Sequence, residues 1–597
     1  MLSRRGEPLA EAVVRGATEL RWGLLAATLI AIISFLPLQL APSSVAEIIR
    51  PLFVVIALSL MISWLLSLTQ VPAMAVGLLR GGREGGVVNR SKWFGGVVQV
   101  VLRHRWATVV AAVLLFVGSL WAMGRMPQNF FPQLSKPYFR ADVILPEGYD
   151  IEATAERLER IAEWLMSQEE VVHVSTMAGG SPPRYYLASS SYAQRPNYGN
   201  VLVELNDKSV TAEVEQRLDR WADESMPDVW LRSSLFKLSP VPDATIEIGF
   251  VGDNIDTLRR LASHAMAIMR GRDDVRNVRN SWGNRVAVWS PRYSQIKGQR
   301  LGVERGGMVR SLEISTEGMP VGTFRENDSE LPILLRTTPM ADSALVAMRT
   351  MPVFSARGRA FSLEQAAASF DFGFRRSVIQ RIDGQRVMKA QCDPGRGVNT
   401  IALLEALRRD VEREITLPDG YRMKLYGEEE SREESNAALA SQLPMTLVLI
   451  FVVLVLLFGR VSDAVVVVVT IPLIFVGVVL GLGLTGKMFD FFSLLGLLGL
   501  VGMNVKSAVI LISRINEQCR SGVEPHEAVV RATADRVIPV VTASGTTVLG
   551  MVPLLFDSMF GGMAATIMGG LVVATLLVLV VLPAIYALVH NIKIQRL

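Results

Sequence analysis

The chain has 597 residues, 50% of them hydrophobic and only 20% charged, with a mean hydropathy of +0.34. Soluble domains run nearer a quarter charged, so a disordered chain is excluded, an ordinary soluble enzyme fits poorly, and the apolar residues must be concentrated in membrane spans. Lys plus Arg number 61 against 56 Asp plus Glu, and the resulting +5 is no nucleic-acid footprint at this length.

A bilayer core about 30 Å thick needs about 20 apolar residues in a helix. In chain order, such stretches are predicted near 22–40, 52–79, 106–124, 443–459, 461–485, 489–513, 537–556 and 562–589. The fifth opens with the β-branched run Val465–Val469, which a buried strand would also show; its length and the span that follows decide for a membrane helix. The chain thus divides into two spans (1–79), a basic linker (80–105), one span (106–124), a polar domain (125–440) and a five-helix bundle (441–597). In the linker, Trp93, Phe94, Val97, Val98, Val101 and Leu102 share one helical face. That pattern predicts an amphipathic helix on the inner membrane surface, with a plain basic loop as the alternative because of its glycines.

Positive charge sets the orientation. Arg4, Arg5, Arg15 and Arg21 precede the first span, Arg80 to Arg105 follow the second, Arg514 to Arg536 join the sixth to the seventh, and Lys593 and Arg596 close the chain. The loops 40–50 and 557–561 are nearly free of it. Both termini are therefore expected in the cytoplasm and the polar domain outside, in the periplasm of a Gram-negative cell. Residues 1–21 lack a cleavage-site pattern and are not read as a secretory signal.

The chain also repeats itself. EAVVR occurs at Glu11–Arg15 and, 516 positions on, at Glu527–Arg531; the same offset carries Pro37–Leu38 to Pro553–Leu554, and Val71–Ala73 (VPA) has a counterpart in Leu582–Ala584 (LPA). Spans one and two thus repeat spans seven and eight. If the unit is what spans three to eight contain, two units make twelve spans and two outside domains, of which this chain would hold the later part. Repeats of this kind are common in transporters, with the working site between the halves.

Polar residues at membrane depth follow. Lys506 lies inside the sixth span, with Asn504 and Ser507 beside it, and Gly496, Gly499 and Gly502 leave room for a neighbouring helix. Such a lysine is costly and has a function or snorkels to the surface; both readings stay open. Arg536 opens the seventh span, as a functional charge or an interfacial anchor, and Thr542, Ser544, Thr546 and Thr547 follow as a polar seam. Asp463, Asp490 and Asp557 all lie near span ends, so Lys506 has no carboxylate partner at a span centre. Cys392 and Cys519 are far apart, and His104, His173, His264, His526 and His590 are dispersed, so no metal site is expected.

GLVGMNVKSAVILI (499–512), EAVVRATADRVIPVVTASGTTVLGMVPLL (527–555), MGGLVVATLLVLVVLPAIYAL (568–588) and, in the outside domain, LPEGYDIEATAERLERIAEWL (145–165) closely resemble the resistance-nodulation-division (RND) permeases. These are proton-driven efflux pumps with hydrophobe/amphiphile and heavy-metal branches. The resemblance covers essentially the whole chain. It implies an α-helical polytopic membrane protein with a large α+β periplasmic domain of ferredoxin-like βαβ porter subdomains and a docking insertion. It also implies a proton relay in which Lys506 and Arg536 match the family's lysine and arginine. The family's threonine falls at Ala543, leaving Thr542 or Thr547 to substitute. The family's proton-carrying aspartates sit on a helix that would end before Met1. The loop 179–192 takes the place of the family's switch loop, where Arg184, Tyr185 and Tyr186 face substrate or, equally, solvent.

The expected function is proton-driven export of hydrophobic or amphiphilic compounds from the bacterial inner membrane. It would use the proton motive force with no cofactor, and a missing N-terminal half or separate chain would supply the proton carriers. Expected partners are membrane lipid, a periplasmic adaptor, an outer-membrane channel and two further copies in a homotrimer, with no nucleic acid. The alternatives are a non-transporting scaffold or truncated gene product, a heavy-metal exporter, and a lipid- or protein-translocating relative. No nucleophile elbow or phosphate loop points to an enzyme.

Overall fold

The computed structural model describes residues 9–78, 92–132, 134–183, 186, 194–237, 244–337, 348–376, 378–395 and 397–592. Among the described residues eight helices are long and apolar enough to cross a membrane: Val13–Ser34, Ala46–Gly77, Arg105–Met123, Glu428–Phe458, Val461–Thr485, Phe491–Arg520, Pro525–Leu555 and Gly561–Val589. The fifth, sixth and eighth form the interior, with about two-thirds of their most apolar windows buried, whereas the second buries none of its window. Both EAVVR copies begin two residues into their helices, which start at Leu9 and Pro525.

Glycine sets the closest approaches in this interior. A Cβ on Gly477 would lie 2.6 Å from the carbonyl oxygen of Gly569, and one on Gly502 would lie 2.8 Å from Cα of Ala31. Without a side chain at these positions the fifth span lies against the eighth, and the first against the sixth, at backbone contact. The last span is not a continuous α-helix: Gly561–Leu576 passes through a π-helical turn, Leu577–Val581, before resuming at Leu582–Val589. The linker forms a helix over Lys92–Arg103, and its first part and the side chain of Trp93 lie outside the described residues. Val98 and Leu102 are buried in the same core as Val529 and Ile585, so the apolar face of this helix is covered by the bundle ends.

The polar domain contains two sheets of one design. The first comprises β1 (Tyr138–Ile144), β2 (Val171–Ala178), β3 (Tyr198–Leu205) and β4 (Trp230–Leu235), paired antiparallel in the order β2-β3-β1-β4. Helices Ile151–Met166 and Thr211–Ser225 connect its split βαβ halves; Asp150 caps the former by accepting from the Ala153 amide at 2.9 Å. Phe139, Ala141 and Val143 point into the core with Leu158, Ile161 and Leu218. The intervening Arg140 and Asp142 are buried too. The strand alternates apolar and polar, yet both of its faces are covered.

Then come β5 (Ile246–Val251), β6 (Val275–Asn280) and β7 (Arg285–Tyr293), the hairpins β8 (Met319–Glu326)/β9 (Ser329–Leu335) and β10 (Pro352–Phe354)/β11 (Ala360–Ser362), and β12 (Ala367–Arg376), β13 (Arg381–Ile382), β14 (Gln385–Pro394) and β15 (Arg422–Gly427). In the second sheet β6 pairs with β14, β14 with β5 and β5 with β15, which repeats the order of the first. Strands β7 to β12, inserted between β6 and β14, build a long two-stranded arm of β7 and β12 carrying the two hairpins.

Candidate functional site

Lys506 stands about 22 Å along the sixth span from its N-terminal end, counted at 1.5 Å per residue. The span begins at Asp490, whose carboxylate accepts from the Ser493 amide at 2.7 Å and from its hydroxyl at 2.8 Å. The Lys506 side chain is exposed on the bundle surface, and no ion pair to it is found among the described residues. Its polar neighbours point elsewhere. Asn504 is fully buried and donates to Thr470 Oγ1 at 3.4 Å, and Ser507 bonds back to the carbonyl of Met503.

Arg536 lies in the field of Arg514, Glu517 and Asp535. Arg514 is eight residues beyond Lys506, about 12 Å along the helix, so Arg536 stands nearer the charged end of the sixth span than the level of Lys506. The seam behind it splits. Thr542 and Thr546 face outward; Ser544 turns inward to accept from Thr575 Oγ1 at 2.6 Å; Thr546 and Thr547 both donate to the carbonyl of Ala543. The Thr547 hydroxyl is therefore occupied by its own helix in this arrangement.

Of the loop residues, Arg184 and Tyr185 lie outside the described residues. Tyr186 packs edge-on against Phe236, with ring centroids 4.9 Å apart, and Phe236 meets Tyr138 at 5.1 Å. Burial, with Tyr138 nearby, raises the pKa of the Tyr186 phenol. The three rings form an aromatic wall beside the first sheet.

Where the two sheets meet the domain-facing ends of the spans lies a cavity of about 540 Å³. Its wall is held by ion pairs. Arg232 engages both carboxylate oxygens of Asp393 at 2.9 Å, joining β4 to β14, and Lys237 bonds Glu428 at 2.7 Å. Burial alone would raise the Asp393 carboxyl, but Arg232 and the two Thr245 donors outweigh it and hold the group far below the usual carboxylate range. These charges are satisfied by one another, which suits the cavity to binding polar groups rather than to relaying protons.

The sequence placed Asp463 near a span end and the histidines apart. In space Asp463 is fully buried and its Oδ1 lies 2.8 Å from Nε2 of His590, on the end of the eighth span. Asn516 of the sixth span donates to the other oxygen at 2.7 Å and accepts from the Tyr586 hydroxyl at 2.9 Å. His590 and His526 line one cavity of about 660 Å³ with Cys519 and Glu524. Among the described residues no group of three or more His, Cys, Asp or Glu is placed to hold a metal ion.

Residues 1–590 match the model of the AcrB/AcrD/AcrF family. The swarming motility protein SwrC of Bacillus subtilis (strain 168) is 22% identical over 612 residues, an alignment that covers 99% of this chain and 57% of that protein. Two crystal forms of a heavy metal efflux pump share the fold at a TM-score of 0.78, with 20% and 21% identity; they cover 98% and 97% of this chain and 60% and 59% of theirs. The chain spans about three-fifths of the length of these relatives.

Proposed function

Because the chain belongs to the AcrB/AcrD/AcrF family of RND permeases, we propose that it acts in proton-driven efflux, exporting hydrophobic or amphiphilic compounds by proton antiport. The carrying observation is Lys506. A cation at membrane depth, exposed on the bundle surface with no ion pair among the described residues, calls for a carboxylate from outside the bundle. The reading therefore assigns the carboxylate partner of Lys506 to a surface that packs against this face of the bundle. Arg536 and a hydroxyl of Thr542 or Thr547 complete the relay on this side, and the proton motive force drives it without a cofactor.

The aromatic wall of Tyr138, Phe236 and Tyr186 supports amphiphilic cargo, with Arg184 and Tyr185 in the adjoining loop as further contacts. Positive charge around the linker and the 514–536 connection supports an inner-membrane protein with its large domain in the periplasm. The β8–β9 hairpin leaves Val321, Phe324, Leu331 and Ile333 about half exposed, which supports docking against other subunits: a homotrimer, with a periplasmic adaptor and an outer-membrane channel.

The test is Lys506→Ala in the assembled pump. Proton-dependent export of a lipophilic dye is expected to fall to background while the protein still inserts in the membrane. Full export by the variant would show that the lysine only snorkels. Protection of cells against silver or copper, with no effect on dyes, would reassign the cargo to metal ions.

A further inference from the structure

We propose that Asp463 and His590 form a proton-exchange pair, loaded and unloaded through the 660 Å³ cavity at the end of the bundle that carries Arg460, Arg514 and Arg520. The role in transport rests on the proton-antiport reading; the binding of the proton does not.

The argument starts from the solvation of a carboxylate. Asp463 is 0% exposed, in the first turn of a span, and an ionised carboxylate there is costly unless a cation stands against it. The one charge partner at ion-pair distance among the described residues is His590, and histidine, unlike Arg or Lys, gains and loses its charge near neutrality. The second oxygen of Asp463 is held by Asn516, and Asn516 in turn by Tyr586. Both are neutral donors, which fix the geometry without settling the charge. The pair thus stays neutral overall, as imidazolium with carboxylate, only while it holds its proton. Loss of that proton leaves a bare buried anion.

Access distinguishes the two partners. The His590 side chain is 20% exposed and lines the cavity, as do Asn516 and Tyr586, so a proton reaches Asp463 from the cavity through the imidazole. The other titratable or charged groups facing the pair come from every neighbouring element: Arg460 from the fifth span, Cys519 and Arg520 from the sixth, Glu524 and His526 from the seventh. The third span contributes Arg105, which donates to the carbonyls of Ala587 at 3.2 Å and Ile592 at 3.0 Å and so anchors the segment bearing His590. Arg460 and Arg520 bring positive charge to the cavity and Glu524 negative charge.

The test is the histidine ¹⁵N spectrum of the full chain in detergent, followed over pH. In Asp463→Asn the proton affinity of His590 is expected to fall at least ten-fold, with His526 in the same cavity unchanged. An identical His590 titration in the two proteins would overturn the pair. If Asp463→Asn does not fold, His590→Gln serves: a protonated carboxyl band should appear in its infrared spectrum near neutral pH and vanish in the double variant, and its absence would equally overturn the proposal. Proton-dependent dye export gives a separate reading. A ten-fold loss in Asp463→Asn supports the transport role, and unchanged export removes it. No export by cells carrying the unaltered protein would sink the antiport reading and leave the spectroscopic result standing.

Discussion

The polar domain and the helical bundle treat buried charge in opposite ways. In the domain two buried ions are matched by partners of fixed charge: Arg232 by Asp393, and Lys389 by Glu247 at 2.7 Å. In the bundle Asp463 is matched only by a histidine, and Lys506 by no ion among the described residues. Pairs of permanent ions hold two sheets in register at any ordinary pH. A carboxylate whose partner titrates holds its surroundings only in one protonation state. The first arrangement is suited to a frame and the second to a moving part.

The contrast can be broken first at Arg232. Arg232→Ala leaves the Asp393 carboxylate buried and unpaired, and should cost about 3–5 kcal/mol, read as a lowered unfolding midpoint of the detergent-solubilised protein. A cost below 1 kcal/mol would mean the pair does not hold the sheets together. Acid should expose the same pair. Because Asp393 is held below its unfolded value, its contribution is complete above about pH 4 and is lost as the pH falls from there. Stability should therefore drop more steeply between about pH 4 and 2 in the unaltered protein than in Asp393→Asn, as measured by unfolding at a series of pH values.

In the bundle the expected costs are steric. Gly481→Leu drives a side chain into Gly569 of the eighth span, whose Cα would lie 2.9 Å from the new Cβ, and should cost about 1–3 kcal/mol on the same unfolding measurement. Ser544→Ala removes a hydroxyl pair between the seventh and eighth spans and should cost only about 0.6 kcal/mol. Smallest is Lys506→Ala, within about 0.5 kcal/mol, although its expected effect on export is the greatest of all. A large loss of stability there would return Lys506 to the class of structural charges and erase the contrast.

The spans were legible because a run of about 20 apolar residues has no other common explanation, and Lys506 because it interrupts such a run. The βαβ design of the polar domain was legible through the resemblance carried by LPEGYDIEATAERLERIAEWL (145–165). The burial of Arg140 and Asp142 was not, since alternation says which residues share a face and not what covers it. Nor was the pairing of Asp463 with His590. They are 127 positions apart, and each stands at a span end, where charged residues are ordinary. Arg232 and Asp393, 161 positions apart, were hidden in the same way: ion pairs between distant elements leave no periodic trace.

The π-helical turn at Leu577–Val581 has a consequence for Tyr586 and His590. A π turn amounts to one residue inserted into an α-helix, so everything after it is rotated by about 100° from where a regular helix would put it. Tyr586 and His590 meet Asn516 and Asp463 only with that rotation. Swaps between apolar residues of similar volume at 577–581 should be borne, whereas deleting any one of them should swing both side chains off their partners. What the turn supplies at this place is a count of residues, and that count sets where Tyr586 and His590 point.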